Sequence, residues 1–428
     1  MSFKPPFPWS AGTAPTRLGA ALRHCQEDPS AKSVFTKTLA RRANAQAEAA
    51  ERKSSPLAGA LLSVKALFDV EGEITTAATK VLRKDEPAGA DAPCIAALDA
   101  AGGVFVGLTN MSEFAYSGIG INPHYGTPDN PVYPGCVPGG STAGGAVSVA
   151  LGVCDIAIGS DTGGSLRIPA AFNGITGFKP TQGTVSLDGG KALSDTLDSF
   201  GPMARSVAAC ELAWQVMAGR ETEPVEPARA RLIVPTNFGM SDMDEAVAEG
   251  FDAVVGTLRA QGFEIVEREL ASIEIYNQVP PWQLTSVESR AHYEDHFQKT
   301  PELFDPRVHA RMKRADEITA IEYRQTLNRR GDFVKAFAAE LGDDLLLLPT
   351  TPILPPSREL LEKDDEAFNR LNLLALRNPS LANGADGCAI ALPYENDDQV
   401  LSAMLVGAKG KDELLLACAK EVEAALAE

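Results

Sequence analysis

The chain has 428 residues, 44% hydrophobic and 22% charged, with a formal net charge of −18 at pH 7. This is an ordinary globular composition with ample material for a large core, and the charge argues by repulsion against nucleic acid or anionic membrane surfaces as partners. Seven scattered cysteines with no CxxC pair argue against a disulfide framework or a zinc knuckle, and imply reduced thiols in a cytoplasmic protein.

Residues 1–10 hold three prolines and no apolar core of signal-peptide length. No run reaches the ~18 apolar residues that span a bilayer. Helical spacing of apolar positions predicts helices over about 16–52. The short apolar stretch 58–65 follows and reads as a buried strand ending at Lys65. A helix over 94–101 leads to a strand over 103–108, and a helix over 144–151 to a strand over 155–159.

Strands alternating with helices predict an α/β fold, a large, mixed but mostly parallel sheet covered by helices on both faces. Residues 224–342 open on a Pro/Glu-rich stretch and contain long polar helices over 242–261 and 318–341. They read as a helical cap over the active edge of the sheet. Strands resume over 344–349, 388–392 and 401–406, and a helix closes the chain over 411–426. The expectation is therefore one domain, with a core of about 56–223 and 343–428.

Glycine and hydroxyl residues concentrate in two loops, Pro138-Gly-Gly-Ser141-Thr-Ala-Gly-Gly145 and Gly159-Ser-Asp-Thr-Gly-Gly-Ser165-Leu-Arg167-Ile-Pro169. A phosphate loop is disfavoured, because no lysine follows the paired glycines and GxGxxG is absent. An oxyanion hole suits Thr162, Gly163, Gly164 and Ser165 better, since consecutive glycines leave backbone N–H groups available beside a substrate. A nucleophilic serine needs a base. None of the five histidines has a strand-end setting with an orienting Asp, and the GxSxG elbow fails at Ala143. Lys65 remains: a lysine ending an apolar strand is partly desolvated and loses its proton more readily. The plainer alternative is a lysine whose stem covers apolar surface.

Together these segments resemble the amidase signature family. The likeness runs from Ser63-Val-Lys65-Ala-Leu-Phe-Asp-Val70 through Thr109-Asn-Met-Ser-Glu-Phe114 and Asn122-Pro-His-Tyr-Gly-Thr-Pro128. It continues through both glycine loops to Gly174-Ile-Thr-Gly-Phe-Lys-Pro-Thr181, and returns weakly at Pro349-Thr-Thr-Pro352. The resemblance implies Ser165 as acylated nucleophile, Ser141 as relay and Lys65 as base, with a cis peptide before Ser141. It also implies a small-molecule amide as substrate and neither metal nor organic cofactor.

Met111, Thr142, Asp161 and Arg167 are expected in support, with Asp161 and Arg167 read as a clamp that shapes the loop. Cleft walls are expected from the cap, including Trp282 and residues near Pro352. A homodimer is the default assembly. Three other readings share the pattern: the glutaminase subunit of a tRNA-dependent amidotransferase, a biuret- or carboxybiuret-type hydrolase, and a non-catalytic binding protein on the same fold.

Overall fold

The strand Leu61–Lys65 is buried at all five positions. Successive strand side chains point to opposite faces, so such a strand needs cover on both sides. The same holds for Val104–Thr109, Ile156–Asp161, Thr176–Lys179 and Ser199–Ala204. In the computed structural model, which describes residues 9–427, these strands belong to one eleven-stranded sheet. The reading of a leader-free N-terminus falls largely on residues 1–8, outside the described residues.

In chain order the strands are Phe35–Thr38 (β1), Leu61–Lys65 (β2), Val104–Thr109 (β3) and Ile156–Asp161 (β4). Next come Thr176–Lys179 (β5), Ser199–Ala204 (β6), Leu232–Pro235 (β7) and Ile265–Arg268 (β8). Leu345–Pro349 (β9), Cys388–Asn396 (β10) and Gln399–Gly407 (β11) complete the set. Across the sheet they lie in the order β1-β3-β2-β4-β6-β5-β10-β11-β9-β7-β8.

Three expectations are corrected. The sheet is mixed, but it is not mostly parallel: β2 with β3 and β4, and β7 with β8 and β9, pair in parallel. The other six pairings are antiparallel. Part of the reason is chain length, since only two residues separate β10 from β11, far too few for the crossover that a parallel pair requires.

The span 16–52 is not wholly helical. Between the helices Ala14–Glu27 and Ala40–Ala49 lies β1, whose Phe-Thr-Lys-Thr sequence suits a half-exposed edge strand paired with β3. Residues 224–342 are not only a helical cap, because β7 and β8 extend the sheet at its far edge. Their helices include Pro281–Lys299 and Pro306–Lys313, which contribute Trp282 and Arg311 to the lining of a cleft. Among the described residues no helix is long and apolar enough to cross a membrane.

Candidate active site

Strands β2 and β4 are parallel neighbours, with Val64 opposite Ile158. Lys65 closes β2 and Asp161 closes β4, so the lysine and the loop from Thr162 to Ser165 emerge at the same, carboxyl, end of adjacent strands. Open α/β sheets bind their ligands at that end. The first glycine loop arrives just ahead of the helix Ala143–Ala150, which packs on β2 and β4.

In this first loop the Gly140–Ser141 peptide is cis. Gly140 is boxed in: a Cβ there would lie 2.7 Å from both the Gly120 nitrogen and the Ser112 hydroxyl, too close for any side chain. The Gly140 N–H donates to the Gly118 carbonyl at 2.8 Å, and the Ser112 N–H to the Ser141 carbonyl at 3.0 Å.

Lys65 Nζ donates to Ser141 Oγ at 2.7 Å and to Ser160 Oγ at 2.8 Å, with the Ser160 carbonyl at 3.4 Å. Lys65 and Ser141 are both fully buried. Burial pushes the lysine pKa down to about 7, against the opposing pull of the Asp198 and Asp161 carboxylates. Burial also raises Asp198 to about 6, opposed by the Thr162 hydroxyl, the Leu193 and Ser194 N–H groups and the charge of Lys65.

Ser165 lines the cleft. Its carbonyl accepts from the Thr142 N–H at 3.3 Å, which ties the two glycine loops together beside Ser141. Among the described residues no direct hydrogen bond joins the two serine hydroxyls; the link that is formed is the one from Lys65 to Ser141.

Asp161 and Arg167 form a fully buried ion pair at 2.8 Å and 3.0 Å. Arg167 also donates to the Pro379 carbonyl and to Asn383 Oδ1, each at 2.7 Å. Burial alone would raise the Asp161 carboxyl. The Arg167 guanidinium, the Lys179 charge and the Asn383 amide outweigh it and hold the carboxyl well below the usual range.

This carboxylate accepts the Gly164 N–H at 2.7 Å and the Leu166 N–H at 3.0 Å. The finding corrects one expectation, because the Gly164 N–H is committed to the clamp and is not free for an oxyanion. Gly164 matters through its backbone: its φ is +128°, and a Cβ would lie 2.6 Å from Pro379 Cβ. Thr162 and Gly163 line the cleft.

Other expected residues fall in different places. Met111 packs in the main core, and its carbonyl accepts from Asn122 Nδ2 at 2.7 Å. Thr142 precedes the helix Ala143–Ala150 and reaches the Ser160 carbonyl at 3.4 Å. Trp282 lines the cleft, but the residues around Pro352 do not; the Pro352 carbonyl instead anchors the Asp244 N–H.

The cleft has a volume of about 810 Å³. Sequence reading missed several residues at the site. Ser160 sits beside Asp161 at the end of the apolar Ile-Ala-Ile run of β4, a signal that was available. Asp198, Arg311 and Arg314 lie far along the chain, and only the fold brings them to the site.

The sheet carries Lys65, Ser141 and Ser165 at its carboxyl edge, and the likeness to known proteins makes the chain a hydrolase of carbon–nitrogen bonds. The family model described as Amidase matches residues 19–416. The chain is 34% identical to the 2-amino-5-chloromuconic acid deaminase of Comamonas testosteroni over 388 residues, covering 86% of this chain and 82% of that protein. It is 31% identical to the indoleacetamide hydrolase of Pseudomonas savastanoi, covering 87% and 85%. A crystal structure of an amidase superposes with a TM-score of 0.86 at 31% identity, covering 96% of both chains. The chain belongs to the amidase (amidase signature) family.

Proposed function

We propose that the protein hydrolyses a small-molecule carboxamide through an acyl-enzyme on Ser165, with Ser141 and Lys65 as a proton relay. The observation that carries this reading is the 2.7 Å contact between the buried Lys65 amine and the Ser141 hydroxyl. A lysine with a pKa near 7 is substantially neutral at physiological pH, and only the neutral amine accepts a proton.

In the first half-reaction Ser165 Oγ bonds to the amide carbon while its proton passes to Ser141 Oγ, whose own proton passes to Lys65 Nζ. The negative charge on the former carbonyl oxygen is met by backbone N–H groups drawn from Thr162, Gly163 and Ser165. Donors fixed in advance for the developing oxyanion lower the barrier most effectively. The C–N bond then breaks, and the departing nitrogen takes the relayed proton. In the second half-reaction water attacks the Ser165 ester and gives a proton to the same relay, which returns it to Ser165 Oγ as the ester bond breaks and the carboxylate leaves.

Seven free thiols, five of them buried, support the accompanying reading of a cytoplasmic enzyme. The test is ammonia or amine release from a panel of small amides by wild-type and Ser165→Ala proteins of equal thermal stability. Turnover that survives in Ser165→Ala removes that serine as nucleophile.

A further inference from the structure

Among the described residues the charged side chains that line the cleft are all arginines, namely Arg311, Arg314 and Arg377, with no Asp, Glu or Lys. In a chain with 57 acidic and 39 basic residues this is the reverse of the overall balance. The three arginines are not equivalent. Arg377 is already engaged by the Gly239 carbonyl, Ser241 Oγ and Asn378 Oδ1, with Asp242 at 3.5 Å, and so serves to anchor a loop.

Arg311 and Arg314 are differently placed. They stand three residues apart at the end of the helix Pro306–Lys313 and in the turn after it, a spacing that puts side chains on one face. Neither forms an ion pair with a carboxylate among the described residues. Arg311 is half-buried, donates one N–H to the Tyr116 carbonyl, and lies against the Phe368 ring at 5.5 Å. A guanidinium has five N–H donors, so most of the fork is left for a ligand. Arg314 stacks 3.6 Å over the Trp282 ring and donates to no protein acceptor among the described residues. Stacking on aromatic faces holds the two planar cations in position without consuming their hydrogen bonds.

Tyr116, which anchors Arg311, lies two residues from Gly118, whose carbonyl holds the Gly140 N–H beside Ser141. Two residues of backbone span at most ~7 Å, and Arg311 and Ser165 line one and the same cleft. Leu193, Leu197, Phe238 and Leu376 supply apolar wall to that cleft.

We propose that the substrate is an amido acid, a short carboxamide whose far end carries a carboxylate received by Arg311, with Arg314 drawing the anion in at the cleft mouth. This rests on the amide-hydrolysis reading above and names the substrate class of that site. A planar guanidinium fork matches a carboxylate in geometry and in charge.

The test pairs each ω-amido acid from malonamate to adipamate with the neutral methyl ketone of equal length. Binding to Ser165→Ala protein is measured by calorimetry, and turnover of the same pairs by wild-type protein as ammonia release. At least one amido acid is expected to bind tenfold or more tighter than its neutral partner, with the advantage shrinking as salt is raised. Arg311→Met is expected to bring that ratio close to one, Arg311→Lys to keep part of it, and Arg314→Gln to reduce it less. If every pair binds within threefold, or the neutral member binds better, the proposal is overturned, whatever the turnover. Because binding is read without catalysis, absent turnover with an intact preference would instead count against the relay alone.

Discussion

Lys65 Nζ and Ser160 Oγ lie 2.8 Å apart inside the sheet, so the amine that contacts Ser141 has a second hydroxyl acceptor fixed to the neighbouring strand. In the proposed relay Lys65 gains a proton, and that acceptor would stabilise the buried ammonium. A hydrogen bond to a charged group contributes about 1.5–3 kcal/mol. Ser160→Ala should therefore lower kcat about 10- to 100-fold with little change in KM. Equal kcat in wild type and variant would show that Ser160 has no part in the relay.

The pH dependence follows from the direction in which burial moves Lys65. In the proposed relay the neutral amine is the active form, so kcat/KM should rise about tenfold per pH unit below 7 and level off above it, given a pKa pushed down to about 7. Initial rates of amide hydrolysis between pH 5 and 9 measure this. A flat profile would exclude lysine as the base.

Asp198 opposes that downward shift, since its carboxylate favours the charged form of Lys65. Asp198→Asn keeps an oxygen for the Leu193 and Ser194 N–H groups and removes the charge. The rising limb of the pH profile should move to lower pH. An unmoved limb, in a variant that remains folded, would show that the charge of Asp198 does not reach the base.

The Asp161–Arg167 clamp should matter to stability as well as to shape. Asp161→Ala leaves a fully buried guanidinium without its carboxylate and frees the Gly164 and Leu166 N–H groups. Breaking a buried pair on one side costs about 3–5 kcal/mol. Urea unfolding monitored by circular dichroism should show a loss of that size, and a loss below about 1 kcal/mol would contradict the clamp.

Much of the site's layout was legible in the sequence because it sits in short, local patterns. The apolar run ending at Lys65 and the two glycine loops are each contiguous, and the strands that carry them were read within a few residues of their bounds. What escaped reading depends on contacts distant in the chain. Pairing direction is invisible in a buried strand, since parallel and antiparallel partners alike favour apolar residues, and so the antiparallel centre of the sheet was missed. β1, β7 and β8 are four residues each, too short for a period-2 pattern to stand out beside long helices. The Gly164 N–H looked free because the sequence points to the Asp161–Arg167 clamp on the loop but not to the backbone N–H groups it holds. Arg311 sits in a charged helix with Arg307 and Lys313, just ahead of Arg314, and its contact with the Tyr116 carbonyl is what distinguishes it.

The most direct test of the relay follows the rate at which a neutral fluorophosphonate attaches to Ser165, as a function of pH, in wild-type and Lys65→Ala proteins. The account predicts one adduct, mapped to Ser165 by mass spectrometry, forming faster as pH rises through about 7 and slowed by several orders of magnitude without the lysine. An adduct on another residue, or a rate indifferent to both pH and Lys65, would contradict it.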